Sequence, residues 1–257
     1  MNDEDFLHYF DQEVRHAKGI VAADYRREIA DGVRRTIGPF PAAPHNWIDH
    51  CDADDLPACI EAQKKHYAGI GHSFRWKVYS HDQPQDLADQ LVKRGFNAWE
   101  EKAELMILDL SELDLREPEG FTFERLRAPE RLAEELKPIM DQVWTEGSED
   151  LVTALASEMA TCGDHVTIYA AKQDGRTVGS GVLRFGDSFT FGGLFAGATI
   201  PSARGQGVYR GIVAFRANVA RQLGAKFLYT EAGSMSRPIL ERLGFKAVAT
   251  ITNYVCE

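Results

Sequence analysis

The pattern best suited to chemistry in this 257-residue chain is Pro201-Ser202-Ala203-Arg204-Gly205-Gln206-Gly207-Val208-Tyr209-Arg210. Two glycines one residue apart let backbone N–H groups turn toward a ligand, and an arginine adds charge. If a helix begins directly afterwards, its unpaired N–H groups and positive dipole end complete a site for a pyrophosphate. By itself the spacing Arg-x-x-Gly fits a glycine-rich turn capping a helix equally well.

The elements around the segment decide between these readings. Upstream, His165–Lys172 and Thr177–Phe185 flank Asp174-Gly175, a hairpin turn signal, and Gly186-Asp187 turns the chain into a third strand ending at Ile200. A helix is expected over Val208–Leu223, then strand Ala225–Glu231, helix Met235–Leu243 and strand Phe245–Val255. A strand over Phe121–Leu126 and helices near 130–145 and 149–161, broken at Gly147, open this half. The loop therefore falls between a strand end and a helix start.

The earlier half predicts an amphipathic helix through Phe6, Phe10, Val14, Ala17, Val21 and Tyr25, ending near Gly32. A strand Val33–Ile37, a break at Pro39, Pro41 and Pro44, and a helix from Asp54-Asp55 to Ala68 should follow. Phe74, Trp76 and Val78 alternate with Arg75 and Lys77 as in a strand, Pro84–Arg94 reads as a helix capped by Gly95, and Leu105–Leu108 as a closing strand. The acidic stretch Ser111–Gly120 is the natural linker between domains over 1–115 and 119–257. Leu91-x-x-x-Gly95-Phe96 and Leu240-x-x-x-Gly244-Phe245 echo each other in strand-helix-strand contexts, which favours a duplicated fold, although helices commonly end this way. The expected class is α/β with a mixed sheet.

In these elements and this loop, residues 121–255 resemble the GNAT superfamily of N-acetyltransferases, whose acetyl-CoA loop reads Arg/Gln-x-x-Gly-x-Gly/Ala after the fourth strand. The earlier half resembles a degenerate copy without that loop, as in tandem GNAT proteins. The resemblance implies acetyl-CoA as co-substrate, with its pyrophosphate on the backbone of Arg204, Gly205, Gln206, Gly207, Val208 and Tyr209, and its pantetheine along Gly197, Ala198, Thr199 and Ile200. It places at Gly197 the N–H that polarises the acetyl carbonyl, a position equally read as a glycine at a strand bulge. Ser236 would bond the cofactor or merely begin a helix.

Departures from the family pattern matter as much. Tyr209 replaces a small residue, Gly233 a frequent Asn, and Leu240 the tyrosine that often protonates the leaving thiolate. Gly193–Phe195 offer no acid or histidine, which leaves Glu231 as candidate base, or as a surface carboxylate at a strand end. Glu146, with Glu149 and Asp150, lies where a cationic acceptor would approach, but acids also favour helix N-termini.

Composition sets the limits. With 39 acidic and 29 basic residues, net charge is -10, an unfavourable balance for nucleic acid or anionic membrane. Residues 1–120 carry 24 acids and 14 bases, so the first half holds the whole excess. No apolar run approaches the ~18 residues of a membrane span. The N-terminal residues are acidic, the four cysteines form no metal-ligand pattern, and a cytoplasmic protein is expected. The expected activity is acetyl transfer to a primary amine of a small molecule. Its rival is a non-catalytic acyl-CoA-binding or sensing protein.

Overall fold

The structure is a computed structural model that describes residues 3–111, 116–144 and 148–257. Its contacts divide the chain into two units, Met1–Met106 with Glu231–Arg237 and Ala247–Glu257, and Ile107–Thr230 with Pro238–Lys246.

The first unit opens with α1 (Asp3–Phe10), continued by a π-helical turn over Asp11–Arg15. The helix stops there rather than near Gly32. Asp31 and Gly32, at φ 55° and 71°, form the two-residue turn that joins strands β1 (Arg26–Ala30) and β2 (Val33–Ile37) as a hairpin, so the expected last helical turns are instead an edge strand. An unexpected strand, β3 (Trp47–Cys51), follows the prolines and runs parallel to β4 (Phe74–Tyr79). Between them lies α2 (Leu56–Gly69), whose Asp55 caps the Ala58 N–H at 3.0 Å. Helix α3 (Leu87–Lys93), short strand β5 (Asn97–Ala98) and strand β6 (Ala103–Asp109) complete this stretch.

The second unit is built from strand β7 (Thr122–Leu126), helices α4 (Pro129–Arg131), α5 (Lys137–Val143) and α6 (Ser148–Thr161), and strands β8 (Val166–Gln173), β9 (Arg176–Phe185) and β10 (Phe191–Thr199). Then come α7 (Val208–Gln222), β11 (Phe227–Ala232) and α8 (Arg237–Arg242), of which Glu231–Arg237 count with the first unit, as does β12 (Lys246–Cys256) beyond Lys246. The expected single helix over 130–145 is interrupted, because Leu132–Leu136 is a π-turn entering Pro138, which has no N–H to give. Within this unit β7, β8, β9 and β10 pair antiparallel in that order, and β10 pairs parallel with β11. In the first unit β12 joins β4 antiparallel. The strand pairing within each unit is therefore mixed, as expected for the α/β class.

The two Leu-x-x-x-Gly-Phe echoes share one helix ending. Phe96 N–H donates to Leu91 O at 3.2 Å and Phe245 N–H to Leu240 O at 3.0 Å, with Gly95 at φ 86° and Gly244 at 91°. The same bonds recur at Gly71 and Gly224, so the echo marks a helix cap and the argument for duplication rests on the flanking strands.

Helix α7 lies close on β9 because two glycines make room. A Cβ at Gly179 would stand 2.8 Å from Val208 Cγ1, and one at Gly181 2.7 Å from both Ile212 Cγ2 and Arg216 Cζ. Gly181→Ala is therefore expected to destabilise by ~1–3 kcal/mol through overpacking. A thermal melt should show Tm lower by roughly 2–4 °C per kcal/mol for a chain of this size.

Candidate acyl-transfer site

Strand β10 changes character halfway along. Phe191, Gly192 and Gly193 pair with Phe227, Leu228 and Tyr229 of β11, and the pairing stops there. Leu194 O accepts instead from the Thr230 hydroxyl at 2.8 Å. On the other side β10 is in register with β9 to Phe195↔Val182 and again from Ala198↔Ser180, so Ala196 and Gly197 oppose the single residue Gly181. That is a β-bulge, with Ala196 at φ 45°. Beyond it β10 runs free of β11 while still paired to β9, which opens a gap on one side of Gly197–Thr199.

Beneath the bulge lies Arg216, a residue the sequence reading passed over. It is fully buried, donates from Nη1 to Val182 O at 2.7 Å and to Phe195 O at 3.2 Å, and from Nε to Ile212 O at 3.2 Å. Burial lowers its pKa to about 10, with Tyr209 and Tyr169 opposing the shift. The guanidinium thus pins the last carbonyl before the bulge. Tyr209 packs on the same spot, since a Cβ on Gly197 would meet its Cε2 at 2.9 Å. Tyr229, at the last paired position of β11, stands edge-on to Phe195 with ring centroids 5.7 Å apart, and Gly193 leaves the space for both rings.

Past Thr199 the chain makes a 3-10 turn over Pro201–Ala203 and reaches α7 through Arg204–Gly207. Gly205 and Gly207 have φ 76° and 91°, where a side chain is strained, and a Cβ on Gly205 would meet nothing within 4 Å. Gly207 is the N-cap of α7 with no side-chain cap. The first helical bond runs from Gly211 N to Gly207 O at 2.9 Å, and among the described residues no acceptor faces the N–H groups of Gly205, Gln206, Gly207, Val208 and Arg210. The expected row of amides is shortened at its start, because Arg204 N–H already bonds Pro201 O at 3.3 Å. The Arg204 side chain is exposed and donates to Thr199 O at 3.4 Å, and Gln206 to Ser202 O at 3.0 Å.

Ile200 and Val208 turn their side chains into a small core with Ala171, Val178, Ala203 and Ile212, and Ala198 is buried, so these three offer a ligand only backbone. Thr199 differs, since its Oγ1 is buried and unpartnered. A polar ligand strand beside β10 would satisfy it.

The remaining expected residues are placed elsewhere. Glu146 lies outside the described residues. Ser236 and Glu231 belong to the first unit. The Ser236 hydroxyl donates to Gly233 O at 3.3 Å. Glu231 is not a surface carboxylate, for its Oε1 is 2.6 Å from Lys77 Nζ and its side chain is only 21% exposed. Burial opposes its ionisation, but Lys77 and Arg75 outweigh that and hold its pKa below the usual carboxylate value. Leu240, where a tyrosine acid was sought, is fully buried.

The comparisons with known proteins fall on this same stretch. Residues 130–245 match the Acetyltransferase (GNAT) family. The chain contains a GNAT acetyltransferase domain. It is an acyltransferase on that ground, and the family generally uses acetyl-CoA as acyl donor. No curated protein matches the sequence. Among solved structures, the fold is similar to a GCN5-related N-acetyltransferase from Kribbella flavida, with TM-score 0.71 and 16% identity over 95% of this chain and 91% of that one. It is also similar to a tandem GNAT protein from the clavulanic acid biosynthesis pathway, with TM-score 0.65 and 12% identity over 93% and 85%. A GCN5-related N-acetyltransferase from Sphaerobacter thermophilus gives TM-score 0.59 and 12% identity over 90% and 82%. The loop, the bulge and the parting strands all lie within the matched residues.

Proposed function

We propose that the GNAT domain binds acetyl-CoA and that the enzyme transfers the acetyl group directly to a primary amine of a small molecule. The observation that carries this is the set of N–H groups of Gly205, Gln206, Gly207, Val208 and Arg210 at the start of α7 that face no acceptor among the described residues, beside a strand that has parted from its neighbour. The residues fit the donor. Anionic phosphate suits the helix start and its glycines, and the Thr199 hydroxyl and free side of β10 suit an extended amide chain. When bound, acetyl-CoA supplies an activated acyl group. Gly197 contributes backbone N–H polarisation of the acyl carbonyl, and Tyr209 and Arg216 hold the bulge that aims it.

No helix among the described residues is long and apolar enough to cross a membrane. The acidic balance supports a small acceptor over nucleic acid, and we propose the cytoplasm as the site of action.

An amine acceptor must lose a proton, and Glu231 remains the proposed group, acting as half of the Lys77–Glu231 pair. Because its pKa is depressed, the carboxylate is ionised throughout the neutral range; its stabilising contribution is present above ordinary carboxylate pKa values and lost as pH falls through the folded value. Hence kcat/KM should show no inflection from Glu231 between about pH 6 and 8, and should rise with pH as the acceptor amine deprotonates. Glu231→Gln should lower kcat by ~10²-fold and leave acetyl-CoA affinity unchanged. The variant also strands Lys77, so Lys77→Met/Glu231→Gln serves as control. Recovery of Tm without recovery of kcat supports the base role, and full activity in either variant removes it.

A further inference from the structure

The first unit carries a half-buried cation, Arg75, whose nearby carboxylates Glu231 and Asp49 are each bonded to another cation. Strand β4 sends Phe74 and Trp76 into the core with Ile60, Tyr67 and Leu91, which puts Arg75 and Lys77 on the opposite face. The register places Trp47 of β3 beside Arg75, and Asn253 of β12 beside Lys77, so all four share that face.

Neighbouring cations of this unit each have a carboxylate. Arg15 holds Asp82 at 2.8 Å and Asp11 at 3.0 Å, Arg34 holds Asp49 at 2.9 Å, and Lys77 holds Glu231 at 2.6 Å. Asp49 is further engaged by the Trp47 indole N–H at 3.0 Å. Among the described residues Arg75 has no carboxylate within ion-pair distance. It makes one long bond, Nη2 to Pro44 O at 3.5 Å, and its enclosed Nε has no acceptor. Its guanidinium lies 5.9 Å from the Trp47 ring centroid and 5.4 Å from that of Trp99, whose indole is 38% exposed. A second orphan sits diagonally across the strands, the enclosed Asn253 Oδ1.

The Arg75 Nε is enclosed without an acceptor, which is costly, and the two indoles beside the half-buried guanidinium offset only part of that cost. A planar carboxylate matches its fork, with two parallel charge-assisted bonds. Asn253 Oδ1 offers an acceptor for an N–H on the same ligand. Glu231 and Asp49 nearby disfavour a dianion, which selects a carboxylate over a phosphate.

We propose that this face of the first unit is a ligand site for a small molecule of amino-acid type, with its carboxylate on Arg75 between Trp47 and Trp99 and an N–H of its amine on Asn253.

The test is ligand-observed NMR on the full chain, without acetyl-CoA. Each of L-phenylalanine, L-leucine and L-lysine is paired with its decarboxylated amine, and inorganic phosphate is run alongside, all at up to ~10 mM, the range of weak single-site binding. At least one amino acid should bind at least ~10-fold more tightly than its amine and than phosphate, a gap a bidentate ion pair readily supplies. Arg75→Met should abolish that binding while the melt stays cooperative, because Arg75 has no ion pair to break and Glu231 keeps its bond to Lys77. Arg75→Lys, which lacks the fork, should bind at least ~3-fold more weakly than the native chain. No binding by any of the three acids, equal binding by acid and amine, tighter binding of phosphate, or undiminished binding in both Arg75 variants overturns the proposal. Failure of acetyl-CoA to bind leaves this measurement standing, so the two readings fail separately.

Discussion

Gly207→Trp is expected to weaken acetyl-CoA binding by ~10²-fold or more, since it removes at least two charge-assisted N–H contacts worth ~1.5–3 kcal/mol each. Gly207 is the N-cap of α7 at φ 91°, a conformation that a tryptophan adopts only with strain. Either the loop backbone moves, turning the N–H groups of Gly205–Val208 away, or the indole stands over them. Outside the loop its Cβ meets only Pro118 Cβ, at 4.0 Å, so the folded core is not challenged. Tm should fall by no more than the ~1–3 kcal/mol of one strained residue implies. Calorimetry on the two proteins reads the affinity loss, and a melt confirms that both are folded. Unchanged affinity would remove the loop from the cofactor site.

The second large effect is expected at Arg216. Its three bonds to the carbonyls of Val182, Phe195 and Ile212 tie α7 to β9 and to the start of the β10 bulge. Arg216→Met keeps much of the volume but leaves Val182 O and Phe195 O without their donor, at ~1–3 kcal/mol apiece. Relief of a buried charge that has no carboxylate partner among the described residues offsets part of this, for a net loss of roughly 2 kcal/mol. The functional effect should exceed the structural one. With Phe195 O released, the Ala196–Gly197 backbone is free to shift, and a displacement of about 1 Å at the reacting carbonyl costs on the order of 10²-fold in kcat. KM for acetyl-CoA should change little, because the 205–210 loop is untouched. Loss of binding and turnover in parallel would reduce Arg216 to a fold-stabilising residue.

The titration of Arg216 adds a sign to check. Its folded pKa of about 10 lies below the ordinary 12.5, so the unfolded chain binds more protons between those values. Its contribution to stability therefore improves as pH rises from about 10, opposite to that of an ion-paired arginine.

How much of this was legible in the residues differs by element. Gly205 and Gly207 announced the loop because a backbone at positive φ with open space above it has little use for any other residue type. Strands β8 to β10 and helix α7 were placed within a few residues because Asp174-Gly175 and the apolar periods are local signals. Arg216 was missed although α7 signals it, since Val208, Ile212, Arg216 and Ala220 follow at steps of four along the buried stripe. What the stripe cannot say is that Gly181, on another strand, leaves the space the guanidinium fills. Strand β3 was hidden because buried Asp49 looks polar in sequence and becomes strand-compatible only through Arg34 and the Trp47 indole. The first helix was drawn too long for a related reason. Ala17, Val21 and Tyr25 continue its period, but Gly19 lies at φ 65° and the Asp31-Gly32 turn claims Arg26–Ala30 for a hairpin. Glu231 was singled out as a candidate base from its place at a strand end, but its partner Lys77 lies 154 residues away in sequence, which no local pattern reveals.

The central claim is that the Gly205–Arg210 backbone receives the phosphates of acetyl-CoA. Calorimetric titration of the wild-type chain with acetyl-CoA tests it most directly. The account predicts one site of micromolar affinity, about −8 kcal/mol, weakened by the 3′,5′-ADP fragment of the cofactor in competition. No heat of binding at millimolar acetyl-CoA would contradict it.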